Sequence, residues 1–577
     1  MLGSSSTIST LVLVLAGAGF GVLATNELPV VDLGYALHRA KWNATGDYYA
    51  FNNIRFADPP TGKNRFQPPV PVSTTSRDTI YDASDAGTIC TQGYPEWTLV
   101  KLAKTVGGTA AELRKKLESD PRNSEDCLFL NVVVPRSIYG KGGGGKKGRC
   151  HRNGAPVMVW IYGGGFTSGL KDDELYNPAG LFARAQENGG EGIIYVALNY
   201  RLGLYGWMNG LGDKAGVPNV GLLDQRLGLE WCVSRHSVHA QTSIPSSPLI
   251  SPIRVKKYIH LFGGDPNRVT AFGESAGGGS IMHHLTAGEG NEKMVFKRAL
   301  IQSPGYQTNL DLPGIFHRIL STASTISGRP ITNIAELASL DAPTLYKVNS
   351  KVIADSPESS YTFGPTIDGT YVRDLPTVRL LQGKFDPTTQ LMLGHNLHEG
   401  LAYITPEINT TAQFAVKIDQ AFPAISRHSR EYILNVLYPP APQPAYKDDN
   451  ARAVLLFTEA FFACNTRGLA TAHGNRTWNY RFQIPPATHG QDVAYTFYRG
   501  GTNATNATIG SVALAMQRYF TKFGKFGNPN AHGGMQGWER YGREAKLVTF
   551  GKDGVGADTD ELVNRRCDYW LRAGFRE

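Results

Sequence analysis

The stretch Phe272-Gly273-Glu274-Ser275-Ala276-Gly277-Gly278 constrains this chain more than any other part of it. A short apolar run, Arg268-Val269-Thr270-Ala271-Phe272, leads in, and the helix-like Ser280-Ile281-Met282-His283-His284-Leu285 follows. Strand, Gly-x-Ser-x-Gly and helix together spell a sharp turn that lifts a serine hydroxyl clear of a sheet. Gly273 and Gly277 suit it because a side chain at either position would clash in so tight a turn. The helix behind the turn aims its positive N-terminal end at Ser275. The competing reading is a glycine-rich βα turn without chemistry; the bounding strand and helix favour a nucleophile.

Such a turn belongs to an α/β sheet, and the flanking sequence agrees. Leu128-Phe129-Leu130-Asn131-Val132-Val133-Val134, Val157-Met158-Val159-Trp160-Ile161 and Ile193-Ile194-Tyr195-Val196-Ala197-Leu198 are near-continuous apolar runs, as buried strands are. Helix-length segments such as Gly221 to Trp231 alternate with them, which implies an α/β fold with a mainly parallel sheet. A chain of 577 residues could hold several domains. It has no internal repeat and no break in composition, so we expect one large domain over residues 25–577.

The N-terminus reads as a signal peptide, residues 1–24. An apolar run from Leu11 to Leu23 ends in Val22-Leu23-Ala24, a small-residue cleavage pattern, although no Lys or Arg precedes it. The run is too short for a membrane anchor, and no later one approaches the roughly 18 residues a spanning helix needs. Five Asn-x-Ser/Thr sequons, at Asn43, Asn409, Asn475, Asn503 and Asn506, fit a secreted glycoprotein. The formal charge of +9 raises the question of nucleic acid. Five of the basic residues, however, lie between Lys141 and Arg152 in one glycine-rich loop without interleaved aromatics, which argues against it. In a secreted chain Cys90 and Cys127 read as a disulfide closing a loop with two helical pieces, Trp97 to Val106 and Ala110 to Leu117. That loop is either a lid or a structural flap.

A serine hydroxyl needs a base to take its proton and a third group to orient that base. In this architecture an acid and then a histidine follow the serine. Glu399 follows the apolar Leu391-Met392-Leu393 where a strand ends, and His489 lies in a turn-rich loop after Trp478-Asn479-Tyr480-Arg481-Phe482. His398 is a rival base, but on an extended segment it would point away from its neighbour Glu399. His395-x-x-His398-Glu399 lacks the helical spacing and third ligand of a metal site, so neither metal nor cofactor is expected. Gly163-Gly164-Gly165 offers bare backbone N–H groups, an oxyanion hole when joined by the N–H of Ala276.

These residues resemble type-B carboxylesterases and lipases, the α/β-hydrolase group that includes cholinesterases, over about residues 28 to 575. The resemblance rests on Glu125-Asp126-Cys127-Leu128-Phe129-Leu130-Asn131-Val132, Asn199-Tyr200-Arg201-Leu202-Gly203, Phe262-Gly263-Gly264-Asp265-Pro266 and Gly273-Glu274-Ser275-Ala276-Gly277-Gly278. It implies Ser275 as nucleophile, Glu399 as acid, His489 as base, and Gly164, Gly165 and Ala276 as oxyanion donors. It also implies disulfides Cys90–Cys127 and Cys464–Cys567, and it is strongest to secreted fungal members. Small-molecule or lipid esters are the implied substrates. The alternatives are a lipase with the Cys90–Cys127 loop as lid and a non-catalytic binding protein on the same scaffold. Cholinesterase activity has no separate support in the sequence.

Three departures from that pattern stand out. Tyr162 replaces a common His, and the basic loop is long. The third is larger: Trp231 and Val255, normally continuous in the group, are separated by the 23 residues 232–254. These lack helical period and interrupt a helix. Cys232-Val233-Ser234 can be encoded TGC-GTG-AGT, which contains a donor-like GTGAGT, so we expect a retained intron of roughly 69 nucleotides, three per residue. A genuine surface insertion is the alternative, in which Cys232 could pair with Cys150.

Overall fold

The computed structural model describes residues 28–83, 87–142, 154–212, 216–233, 258–290, 294–308, 311–404, 408–500 and 509–576. The signal-peptide region, Asn503, Asn506, Cys150 and residues 234–254 of the suspected insertion lie outside the described residues.

Among the described residues, eleven strands form the main sheet. In chain order they are β1 (Lys41–Asn43), β2 (Tyr48–Arg55), β3 (Phe129–Pro135), β4 (Ala155–Ile161), β5 (Ile194–Leu198), β6 (Gly264–Glu274), β7 (Arg298–Gln302), β8 (Gln390–Asn396), β9 (Trp478–Phe482), β10 (Lys546–Gly551) and β11 (Gly554–Thr559). Their spatial order is β11-β10-β9-β8-β7-β6-β4-β5-β3-β2-β1. The four apolar runs of the sequence are thus four adjacent strands. β4 and β5 are buried at every position, so both faces of the sheet are covered. From β5 through β4 to β10 all neighbours are parallel. β3, whose apolar run suggested another parallel strand, is instead antiparallel to β5 and β2. An apolar run reports burial on two faces, not strand direction, so the sequence could not distinguish the two.

This is the α/β-hydrolase fold, and its strand order places the site. β4 pairs with β5 on one edge and β6 on the other, so chain order reverses there and a crevice opens beyond the strand ends. Gly273 of β6 faces Ile161 of β4 in the register. The chain leaving β4 at Tyr162 and the chain leaving β6 at Ser275 therefore emerge side by side.

Four helices matter to the site. Helices α1 (Glu96–Val106) and α2 (Ala110–Glu118) fill the Cys90–Cys127 loop, close to the sequence expectation. Thr109 starts α2 through a capping box with Glu112. Helix α3 (Val220–Cys232) is held by its Asp224, buried against Arg201 at 2.7 and 2.8 Å. Helix α4 (Ala276–Leu285) is buried along its whole length. Both expected disulfides form, Cys90–Cys127 and Cys464–Cys567, while Cys232 is a free, buried thiol. A second apolar cluster, including Tyr403, Phe462 and Trp570, packs beside the sheet's own core. Among the described residues no helix is long and apolar enough to cross a membrane.

Candidate active site

Ser275 sits at φ 57° and ψ −123°, a backbone conformation that side chains rarely adopt. The surroundings enforce it. Ser275 N donates to the Gln302 carbonyl at 3.1 Å, and its own carbonyl accepts from Gly279 at 2.8 Å and Gly305 at 3.0 Å. A Cβ on Gly273 would lie 2.6 Å from the Ile161 carbonyl, and one on Gly277 would overlap that same oxygen. The glycines are therefore demanded by the neighbouring strand β4 as much as by the turn.

His489 and Glu399 come from two loops tied together. The segment after β8 runs beside the His489 loop: His398 N donates to the Ala487 carbonyl at 2.9 Å, and Asn396 Nδ2 donates to the Thr488 carbonyl at 3.0 Å. His489 Nε2 then lies 2.7 Å from Ser275 Oγ, and its Nδ1 lies 2.6 Å from Glu399 Oε2. Glu399 is fully buried, and its other oxygen accepts from Asn396 N and Ser303 Oγ, both at 2.6 Å. Glu399 is not on an extended segment, as the sequence suggested, but opens a short 3-10 helix, Glu399–Ala402. His398, the rival base, is exposed with Nδ1 3.1 Å from the Pro486 carbonyl. His395 is buried on β8, and among the described residues no group of three candidate ligands gathers for a metal.

The Gly163-Gly164-Gly165 loop passes directly over Ser275. A Cβ on Gly163 would sit 2.8 Å from Ser275 Cβ, and Gly164 and Gly165 adopt φ 115° and 61°, open mainly to glycine. Among the described residues no acceptor takes the N–H of Gly164, Gly165 or Ala276. For Ala276 this is the usual state of a helix's first turn. Three donors thus remain available beside one hydroxyl.

Some residues at the site had no clear sequence signal. Glu274 Oε1 lies 3.3 Å from His489 Nε2, so two carboxylates flank the imidazole. Burial works against the charged imidazolium, but Glu274 and Glu399 outweigh it and hold His489 above the ordinary histidine range. Burial raises Glu274 itself, against the attraction of His489. Adjacency to the serine was the only hint of Glu274. Ser303 and Asn396, which orient Glu399, carry no motif. Asp492, three residues past His489, accepts from Tyr480 at 2.7 Å and Gln302 at 2.9 Å and ties the loop to β9 and β7. Of the described sequons, Asn409 is exposed, whereas Asn43 and Asn475 are half-buried, and Asn43 Nδ2 donates to Tyr48 at 2.9 Å.

This geometry can be set beside known proteins. A model of the carboxylesterase family matches residues 37–237 and 254–570. Carboxylesterase patB of Aspergillus clavatus is 34% identical over 573 residues, covering 96% of this chain and 97% of that protein. A secreted lipase of Arthroderma benhamiae is 30% identical over 414 residues, covering 70% and 72% respectively. The crystal structure of Aspergillus niger EstA, 24% identical, matches with a TM-score of 0.73 over 94% of this chain and 98% of that chain. The chain belongs to the carboxylesterase family and is a carboxylic ester hydrolase.

Proposed function

We propose that the protein is a secreted serine esterase acting through Ser275, His489 and Glu399 with a covalent acyl-enzyme. The unbroken hydrogen-bond chain from Ser275 Oγ through both His489 nitrogens to Glu399 carries this reading. Neutral His489 takes the Ser275 proton as Oγ attacks the ester carbonyl, and Glu399 holds the imidazole and stabilises its charged form. The oxyanion is received by the N–H groups of Gly164, Gly165 and Ala276, donors worth roughly 3–4 kcal/mol each in the transition state. His489 protonates the leaving alcohol. Water activated by the same His489 then releases the acid. The test is hydrolysis of p-nitrophenyl esters from acetyl to palmitoyl, with fluorophosphonate labelling and Ser275→Ala as control. Activity lost with Ser275→Ala supports the reading; activity retained refutes it. Silence of the parent, with no label on Ser275, would favour the non-catalytic binding alternative.

A lipase acting on long-chain esters is the second reading. It is favoured by Val100, Leu102 and Val106, exposed on α1 of the Cys90–Cys127 loop, and by the secreted lipase among the relatives. A rate maximum at long chains that rises at an interface selects it; a fall beyond about six to eight carbons selects the carboxylesterase. The two disulfides, the signal-peptide pattern and the exposed sequon Asn409 support secretion.

We also propose that residues 232–254 are a retained intron within one hydrolase domain spanning 25–577. The family match omits 238–253. Trp231 stacks on Tyr258 with ring centroids 5.2 Å apart. Without the 23 intervening residues these two would stand at i and i+4, neighbours on one helix face. Sequencing mature transcripts across Trp231 and Val255 tests this, and retention in most messages would end it.

A further inference from the structure

One helical segment touches the surroundings of Ser275, His489 and Glu399 alike. It runs as an α-helix over Asp449–Thr458, passes through a single π-helical turn at Glu459–Ala463 and returns to α-helix over Cys464–Ala472. The π-turn is closed by Cys464 N donating to the Glu459 carbonyl, five residues back. Ahead of it, Gly400 N donates to Thr458 Oγ1 at 3.0 Å, and a Cβ on Gly400 would overlap the Val454 carbonyl. The segment thus lies flush against the turn that carries Glu399. Within the π-turn, consecutive aromatics pack on different neighbours: Phe461 on Phe422 at 5.3 Å between ring centroids, Phe462 on His489 at 4.2 Å. Tyr403 packs against both Phe462 and His489, at 5.4 and 5.7 Å. A Cβ on Gly305 would lie 2.4 Å from the Phe462 ring, and it is Gly305 whose N–H holds the Ser275 carbonyl. The Phe462 ring is therefore wedged between the imidazole and the backbone behind Ser275.

The turn is pinned from its far side. Buried Glu459 accepts from Arg566 at 2.6 and 2.8 Å and from the Tyr438 hydroxyl at 2.6 Å, and Cys464, just past the turn, is bonded to Cys567. Arg566 and Cys567 both belong to the helix Arg565–Leu571. π-Turns are rare and frequently mark functional sites, and this one aims its aromatic ring at the imidazole. His489 is bonded at Nδ1 to Glu399 and at Nε2 to Ser275, which leaves it free to rotate about the line joining its two nitrogens. Phe462 and Tyr403 obstruct that rotation. The ionisable groups acting on the imidazole are Glu274, Glu399 and Asp492, with the Tyr403 phenol against it. None of the carboxylates occupies the position of Phe462. The face of an aromatic ring is electron-rich and attracts a cation within about 6 Å of its centroid, most strongly out of water.

We propose that Phe462 is a positioning residue for His489, its ring holding the imidazole in line with Ser275 and Glu399 and stabilising the positive charge that the imidazole takes up during reaction. The inference rests on the serine-esterase reading above. In acylation the imidazole gains its charge with the Ser275 proton and loses it to the leaving alcohol. In deacylation it gains the charge from water and returns the proton to Ser275 Oγ. Phe462 exchanges no proton and acts only through His489. A neutral imidazole gains little from the electron-rich face, whereas an imidazolium is attracted to it. The interaction therefore strengthens as each transition state is approached, which is the condition for acceleration rather than mere binding. Because His489 is charged in both half-reactions, both are served alike.

The test is the pH profile of p-nitrophenyl acetate hydrolysis by the full chain, by Phe462→Leu and by Phe461→Leu. Leucine keeps the apolar cover over His489 and removes the π-face, and Phe461→Leu makes the same change in the same turn away from the imidazole. For Phe462→Leu the expected result is kcat lowered about tenfold with KM kept within about twofold. The acidic limb of kcat/KM should move about one pH unit lower, because the charged ring has lost a stabilising neighbour. Phe461→Leu should keep the parental kcat and limb. A limb that stays in place in Phe462→Leu overturns the proposal, and so does a Phe461→Leu variant that reproduces the whole effect, which would mark general disturbance of the turn. A cooperative thermal transition certifies the fold of each variant. Should Phe462→Leu not fold, a ring-fluorinated phenylalanine at position 462 decides, since it keeps the shape and drains the ring face of negative charge. A limb moved lower then supports the proposal, and an unmoved limb overturns it. A parent that turns over and labels with fluorophosphonate while the Phe462 variants match it removes this inference alone. A parent that does neither removes the esterase reading with it.

Discussion

Two carboxylates meet one imidazole here, Glu399 at Nδ1 and Glu274 at Nε2. Their combined charge favours the protonated ring, whereas the proposed mechanism requires a neutral ring to accept the Ser275 proton. Activity is therefore lost as pH falls, and the loss begins above the ordinary imidazole range near 6.5. In Glu274→Gln, which removes the larger of the two raising charges, the acidic limb of kcat/KM should move to lower pH. An unmoved limb would mean that Glu274 does not act on His489. Gly164 makes a second test. At φ 115°, with a Cβ overlapping the Ser168 carbonyl, Gly164→Ala should lower kcat by about 10²–10³, the loss expected for one oxyanion donor, with little change in KM. At this scale Ser275 was legible because its glycines declare the turn, while chain order and loop position made Glu399 and His489 candidates to which the family resemblance gave their roles. Ser303, Asn396 and Tyr403 were not legible: they reach the site through contacts distant in sequence, and each residue type is unremarkable by itself.

At the scale of elements, α1 is fastened to the loops that carry the site. Trp97 Nε1 donates to the Ser360 carbonyl at 2.9 Å and Lys101 Nζ to the Leu401 carbonyl at 2.6 Å. These bonds grip the chain next to Tyr361 and Tyr403. Opening the Cys90–Cys127 disulfide, which spans 37 positions, should cost roughly 3–4 kcal/mol of stability on loop-entropy grounds. Denaturant midpoints of a Cys90→Ser/Cys127→Ser variant measure it, and a cost below 1 kcal/mol would mean the loop is held by its contacts alone. Helix α3 is fixed differently. Asp224 is fully buried and paired to Arg201, so Asp224→Ala leaves an unpaired buried guanidinium and should destabilise by about 3–5 kcal/mol. The helical pieces of the Cys90–Cys127 loop were readable from local pattern. The grip of α1 was not, because its partners lie some 260 to 300 positions away in sequence.

For the whole molecule, the position of Ser275 beside Gly163 is a property of strand order. Where β4 lies between β5 and β6 the chain order reverses, and a crevice opens beyond the strand ends. In the sequence the suspected insertion falls at the end of α3, ahead of β6, and none of the residues placed at the site comes from it. A chain lacking residues 232–254 should therefore keep the triad geometry and its esterase activity, with an equal or higher Tm. Loss of activity in that chain would show that the segment belongs to the protein. What the sequence determined by itself was local: apolar runs that must be buried strands, glycines that permit a strained serine, and the chain order of acid and base. The tertiary structure alone decided which strands are neighbours, that β3 runs antiparallel, and that Glu274 and Tyr403 both pack against His489. The reason is physical. Local pattern records how a segment is solvated and how its backbone turns, while neighbours and distances are set by packing between segments that local pattern cannot pair.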